Sequence, residues 1–296
     1  MIVITAPTGN IGSQVLANIL DSEERIRVIA RDPSKLAPQA LNRVEVIEGS
    51  HRDSAVVAQA FEGADRVFWL VPADLRAPSA EAAYLDFSRA GCDALKAFGV
   101  KHVVGISALG RGWSKDAGHV TATLKMDDLI ASTGVNYRAL ACASLMENVM
   151  RQSALIKDHS AFYWPTPVDL KEPACATRDV AAVAARLLLD PSWTGVDSIP
   201  MLGPEDISYH EMMGIISKMT GKTVQYHFMK MDDLKSMMIN RGASEGMAQS
   251  MVNMMTAKNE GMDHLEERTP SSSYDTPTGF REWCEEVLGL RYLGKL

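Results

Sequence analysis

Cysteine is scarce in this chain, and its spacing is wrong for bonding. Cys92, Cys142, Cys175 and Cys284 lie far apart with no C-x-x-C pair, which argues against a disulfide framework or a structural zinc site and fits a reducing compartment. They read as buried thiols. Positive charge is in deficit: 30 Lys and Arg stand against 37 Asp and Glu, a formal charge of -7, so neither a basic nucleic-acid face nor a polybasic membrane patch has support. No apolar run approaches the ~20 residues that span a bilayer. The opening MIVITAP lacks the charged region and long apolar stretch of a secretory leader. His51, His102, His159, His210, His227 and His264 have no metal-ligand spacing, and no metal is expected. These absences leave a cytoplasmic protein that works on small molecules or protein, with no nucleic acid and no membrane; the sequence assigns no oligomeric state. Its 296 residues, 46% hydrophobic and 23% charged, suit one large domain or two modest ones.

What is present is an alternation. Short apolar runs at Ile2 to Thr5, Ile26 to Ala30, Val44 to Ile47, Arg66 to Val71, His102 to Ile106 and Asn136 to Ala141 are separated by stretches of helix length. That pattern predicts βαβ units and a parallel sheet covered on both faces. Ile11, Val15, Leu16 and Ile19 repeat at helical spacing, and a helix over Ala80 to Phe98 ends at Gly99. After about residue 147 the character changes: Trp164, Pro165, Thr166 and Pro167 interrupt the chain, Arg178 to Leu189 returns to helix, and Ser198 to Met201 to strand. The expected fold is α/β, a Rossmann-type doubly wound parallel sheet over 1–146 and 175–201, with a smaller, split C-terminal substrate domain over 147–174 and 202–296. Twelve of the 17 methionines fall between Met212 and Met262, in segments that look helical over Asp232 to Asn240 and Ser244 to Lys258. Methionine is flexible and polarizable, so the cluster is either a helical core or a pliable wall for a ligand.

The first strand runs into Thr5, Ala6, Pro7, Thr8, Gly9, Asn10, Ile11 and Gly12, followed at once by an amphipathic helix. The spacing is that of G-x-x-G-x-x-G with Ala6 in the first glycine position. A tight strand-to-helix turn presents free N–H groups and the positive end of the helix dipole to a pyrophosphate, while Gly12 permits close packing of helix on sheet. The second strand carries the discriminating residue. A chain built for NAD usually has an acidic side chain at its end to hold the ribose hydroxyls; here Ala30 is followed by Arg31, with Lys35 one helical turn later. A guanidinium beside an ammonium suits a 2′-phosphate, so NADPH is favoured, with NADH possible but weaker.

These residues resemble the NmrA-like branch of the atypical short-chain dehydrogenase/reductases. TAPTGNIG is similar to that family's TGATGNIG turn, VIARDPSK to its strand and Arg loop, SLMENVM (Ser144 to Met150) to its F-M-E-N segment, and TRDVA (Thr177 to Ala181) to its D-V/I-A helix start. LGPEDISYHEMMGIISKMTGKTVQY resembles its L-x-G-P-E segment with the following helix and strand, the most specific match. The resemblance covers nearly the whole chain. It implies a Rossmann domain with a small C-terminal domain forming a cleft over the nicotinamide, and it puts Trp69, Leu70, Val71 and Pro72 beside the nicotinamide ribose. Relatives include reductases of quinones, dyes and benzylic ethers, and redox sensors that bind dinucleotide without turnover.

The departures bear on mechanism. Short-chain reductases place a Ser after the fifth strand and Tyr-x-x-x-Lys on the next helix; Ser107 and Lys125 occupy the Ser and Lys positions, but Thr121 stands where Tyr would be. Tyrosine normally donates the proton to a carbonyl oxygen, and a Thr hydroxyl is a far poorer acid. The proton then comes from water, from another residue such as His119 or from an acidic hydroxyl of the substrate, or the chemistry needs little proton donation, or the chain is not an enzyme. Lys125 can hold the nicotinamide ribose and stabilise an oxyanion, and Ser107 can bind an oxyanion. The expectation is an NADPH-dependent reductase of a ketone or quinone on an aromatic, polyketide-like small molecule, with Ser107 and Lys125 catalytic. The alternative is a non-catalytic NADP(H) sensor that reports to a protein partner.

Overall fold

The computed structural model describes residues 1–289. They form two compact units: Met1–Ala108 with Val120–Ala141 and Val180–Ile199, and Leu109–His119 with Cys142–Asp179 and the chain from Pro200 onward. Among the described residues no helix is long and apolar enough to cross a membrane, and all four cysteines are buried and outside any disulfide.

The first unit is built on β1 (Ile2–Thr5), β2 (Ile26–Ala30), β3 (Glu45–Glu48), β4 (Arg66–Trp69), β5 (His102–Ala108) and β6 (Asn136–Cys142). With β10 (Val196–Met201) they make a seven-strand sheet in the order β10-β6-β5-β4-β1-β2-β3. Ile2 pairs with Ile26 on one side and Arg66 on the other, both parallel, so the strand order reverses at β1. That reversal is where doubly wound sheets bind ligands, beyond the carboxyl ends of the strands. The helices between the strands are α1 (Asn10–Ile19), α2 (Pro38–Leu41), α3 (Ser54–Phe61), α4 (Phe87–Ala97) and α5 (His119–Ala131). The core they cover includes Val3, Ile29, Val67, Trp69, Val103 and Tyr137, all buried, as expected for strands covered on both faces.

One expected strand ends early. The fourth strand stops at Trp69 rather than Val71 because side chains replace its ladder. Thr5 Oγ1 donates to the Phe68 carbonyl and accepts from the Leu70 amide, both at 2.9 Å; Pro72 then has no N–H to give. The helix expected from Ala80 begins there as expected and is continuous to Ala97, with a π turn over Ala82–Asp86 leading into α4.

The second unit has a three-strand sheet of β7 (Ser144–Leu145), β9 (Glu172–Cys175) and β11 (Asp206–Ile207), and a two-strand parallel sheet of β8 (Ala161–Trp164) and β12 (Gln225–Phe228). Around them lie α6 (Ser153–His159), α7 (Thr177–Leu189, which runs on into the first unit), α8 (Tyr209–Thr220), α9 (Met231–Asn240), α10 (Glu245–Asn259), α11 (Pro270–Asp275) and α12 (Phe280–Trp283). Ser208 and Glu211 form a reciprocal capping box that starts α8. Glu147, from the segment SLMENVM, is a structural node: its carboxylate accepts from the Thr177 amide and hydroxyl and from the Trp283 indole.

Residues 109–119, placed with the sheet domain on sequence, cluster with this second unit. Lys115 pairs with Glu260 at 2.6 Å, and Asn253 donates to Asp116 at 2.7 Å. At Gly118 (φ +54) a Cβ would fall 2.0 Å from the Ser250 carbonyl oxygen, so only glycine fits there. The methionine cluster divides between its two readings. Met212, Met213, Met238 and Met255 are buried core, whereas Met229 and Met237 line a cavity.

Candidate functional site

A cavity of about 530 Å3 opens at the carboxyl ends of β1, β2 and β3, lined by Ala6, Pro7, Thr8, Gly9, Ile29, Ala30, Arg31, Asp32, Lys35, Gly49, His51 and Pro72. The turn after β1 is tight. The Gly9 amide donates back to the Ala6 carbonyl at 3.1 Å, and the first intrahelical bond of α1 runs from Ser13 to Gly9 at 3.0 Å. The amides of Asn10, Ile11 and Gly12 therefore have no partner among the described residues, and α1 ends here in free donors with its positive dipole end. Gly12 is required by packing: a Cβ there would sit 2.2 Å from the Ala6 carbonyl oxygen. Ala6 adopts a left-handed conformation, φ 49, at the position where the G-x-x-G-x-x-G spacing puts glycine.

Arg31 follows β2, exposed, with no ion pair to any described residue. Asp32, which lines the same cavity, is engaged locally. It accepts from the Ser34 hydroxyl at 2.6 Å and from its amide at 3.2 Å, and the Ser34 bonds hold its carboxyl below the usual range. Lys35 lies 3.6 Å from Asp32, so the cation in the cavity without a counterion is Arg31.

The sequence reading passed over His51. It is buried, its ring edge-on to Trp69 (5.2 Å) and to Phe87 (4.8 Å), with Nε2 at 2.9 Å from the Leu70 carbonyl. Burial, aided by the Arg31 charge and opposed by the Leu70 hydrogen bond, pushes its pKa down to about 4, so the imidazole is neutral at neutral pH. Both backbone groups of Leu70 are thereby held by side chains, Thr5 on the amide and His51 on the carbonyl. The available signal was position: His51 follows β3, beside the strand that carries Arg31.

The expected catalytic residues lie on β5 and α5. Ser107 is buried and donates its hydroxyl to Asp127, which also accepts from the Tyr137 hydroxyl at 2.6 Å. A serine has one proton to give, so Ser107 presents only lone pairs to any other partner. Asp127 sits two residues after Lys125, which turns it to the opposite face of α5: Asp127 is 3% exposed, while the Lys125 side chain is half exposed and paired with Glu81. Thr121 is partly buried on the same helix. His119, offered as a proton source, is buried in the second unit, and desolvation lowers its pKa. Among the described residues no group of three or more His, Cys, Asp or Glu can hold a metal.

The reversed strand order and the free-amide turn define a doubly wound protein with an anion cradle and a cation beside it, a chemistry that matches a phosphorylated dinucleotide. A family model describes this class more narrowly. It matches residues 1–284, and the chain belongs to the NmrA-like family. It is 24% identical to the NAD(P)H azoreductase of Xenophilus azovorans over 251 residues, 85% of each chain. It is 23% identical to quinone oxidoreductase 2 of Escherichia coli over 282 residues, 94% of this chain and 95% of that one. Among solved structures, the NADPH-dependent quinone oxidoreductase of Escherichia coli complexed with NADPH superposes with a TM-score of 0.81 at 21% identity, covering 97% of this chain and 100% of that one. The Citrobacter triphenylmethane reductase complexed with NADP(H) gives 0.78 at 18%, covering 95% and 97%.

Proposed function

We propose that this chain is an NADPH-dependent reductase that acts on a ketone or quinone carried by an aromatic small molecule. The observation that carries the reading is Arg31: a guanidinium without a counterion lining the same cavity as the turn whose amides at residues 10–12 are unpartnered. Residues 6–12 would hold the pyrophosphate, Arg31 and Lys35 the 2′-phosphate, and Leu70, Val71 and Pro72 the nicotinamide ribose. The related azoreductase and quinone oxidoreductase support the reductase reading and an aromatic substrate.

NADPH, when bound, supplies a hydride. The chain's own part is binding, orientation and charge. Lys125 can release Glu81 for a ribose hydroxyl or a developing oxyanion, since an exposed ion pair holds it only weakly. Ser107 acts as an acceptor, because its proton is committed to Asp127. With Thr121 in place of a phenol, the proton reaches the product oxygen from water or from an acidic hydroxyl of the substrate.

Thr121 also favours a second reading, a sensor that binds NADP(H) without turnover and signals to a protein partner. NADPH consumption over a panel of quinones, azo dyes and aromatic ketones separates the two. Turnover of one class supports the reductase; no oxidation with any member, together with tight binding of one redox state, favours the sensor.

A further inference from the structure

The second unit contains a cavity of about 520 Å3, within the range that takes a small organic ligand. Its apolar walls come from separate elements: Leu155 on α6, Leu234 and Met237 on α9, and Trp164 at the end of β8. The β8 side is fixed. Gln152 donates through Nε2 to the Tyr163 carbonyl at 2.7 Å and accepts from the Tyr163 amide at 3.0 Å. The Met229 amide bonds the Trp164 carbonyl at 3.0 Å, and the Trp164 ring lies against Phe162 and Tyr209 at centroid distances of 6.1 and 5.9 Å. A wall already ordered in this way loses little entropy when a ligand arrives.

The charge on this cavity runs against that of the chain. Arg151 and Arg241 both line it, both are exposed, and neither guanidinium has an ion pair or side-chain hydrogen bond with a described residue. Asp158 is the one carboxylate among the lining residues. Other arginines of the same unit are tied to acids: Arg178 to Glu282 and Glu286, Arg268 to Asp206. Two unpaired guanidiniums over an apolar pocket, in a chain of net charge -7, form a receptor for an anion with an apolar body. A guanidinium matches a carboxylate or sulfonate in a two-pronged contact, and an indole wall with a thioether beside it favours an aromatic ring.

We infer that this cavity binds an aromatic carboxylate or sulfonate, its ring against Trp164 and Met237 and its anionic group on Arg151 and Arg241. Binding is measured without dinucleotide, so the outcome is independent of whether the chain is a reductase. Isothermal titration calorimetry compares anthraquinone-2-sulfonate with the neutral 2-(hydroxymethyl)anthraquinone. The sulfonate should bind at least tenfold more tightly. The double variant Arg151→Met with Arg241→Met, which keeps the apolar stems, should erase that preference while binding the neutral compound as the unaltered protein does. Ala154 is exposed and lines the cavity, so Ala154→Trp fills the space without touching the core and should weaken both compounds. Arg31→Ala should leave sulfonate affinity unchanged. The inference is overturned by equal affinity for the two compounds, by a sulfonate preference that survives the double variant, by indifference to Ala154→Trp, or by sulfonate binding that is lost in Arg31→Ala.

Discussion

Replacing each glycine of the first turn by alanine separates the turn's mechanical role from its binding role. At Gly12 the added Cβ would meet the Ala6 carbonyl oxygen at 2.2 Å, the Ala6 carbonyl carbon at 2.9 Å and the Thr5 oxygen at 3.3 Å. All three are backbone atoms, so the start of α1 must move off β1. Overpacking of this kind costs about 1 to 3 kcal/mol, reduced by roughly 1 kcal/mol because alanine is the better helix residue. At Gly9 an added Cβ would meet, among the described residues, the Ala6 oxygen at 3.5 Å, an ordinary contact. Gly9 caps α1 with φ -86, which any residue adopts, so Gly9→Ala costs at most about 1 kcal/mol through the poorer cap. A 2.2 Å approach to a backbone oxygen puts the packing cost at the top of that range, so the net loss of about 2 kcal/mol exceeds the cap loss at Gly9, and urea unfolding followed by circular dichroism should rank Gly12→Ala below Gly9→Ala in stability. Calorimetric titration with NADPH should show at least a tenfold loss in both variants: in Gly12→Ala because the row of amides is displaced, and in Gly9→Ala because a side chain stands where the pyrophosphate approaches the backbone. Undiminished NADPH binding in both would mean that the turn is only structural. A greater loss of stability in Gly9→Ala would refute the packing argument.

Three further outcomes follow from individual residues. Ala6 holds φ 49, a conformation that costs an L-residue roughly 1 to 2 kcal/mol, so Ala6→Gly should be neutral or stabilising by about 0.5 to 1 kcal/mol after the extra chain entropy of glycine is subtracted; calorimetric melting checks it, and a clear destabilisation would contradict it. Glu172 is 4% exposed with Oε1 unpartnered, and burial raises its pKa to about 7 against the Lys258 charge. The unfolded chain therefore loses that proton first as pH rises from about 4.5 to 7, and the fold gives up stability on the order of 3 kcal/mol across that window. Glu172→Gln should gain on the unaltered protein by that order between pH 4.5 and 8, and urea midpoints at the two values that shift in parallel would refute it. Thr121→Ala should cost little in turnover with the best substrate of the panel, whereas Lys125→Ala should cost about 2 to 4 kcal/mol of transition-state energy. Cofactor affinity is measured separately, and a large rate loss in Thr121→Ala with binding intact would show the proton argument to be wrong.

All six apolar runs correspond to strands, and β1, β2 and β4 were the plainest because a strand buried along its whole length is nearly continuously apolar; β3, at the sheet edge with Glu45 and Glu48 exposed, showed only through Val46 and Ile47. The phosphate-type turn and Arg31 were legible for a similar reason: their chemistry is local, and the structure brings the turn, Arg31 and Lys35 to one cavity. What escaped the sequence depends on distant partners. Nothing in the local sequence places His51 under Leu70, or shows that the Ser107 proton is committed to Asp127. The allegiance of residues 109–119 follows from their bonds to Glu260 and Asn253, far along the chain. The end of β4 at Trp69 is set by Thr5, 64 positions earlier, through a hydroxyl that periodicity does not register.

The central claim is that Arg31 reads the 2′-phosphate of NADPH, and paired titrations of NADPH and NADH against the unaltered protein and Arg31→Ala test it most directly. Charge-assisted hydrogen bonds to a phosphate are worth about 1.5 to 3 kcal/mol, so the account predicts that Arg31→Ala weakens NADPH by roughly tenfold to a hundredfold and leaves NADH nearly unchanged. Equal losses for the two dinucleotides, or a protein that binds NADH as tightly as NADPH before the change, would contradict it.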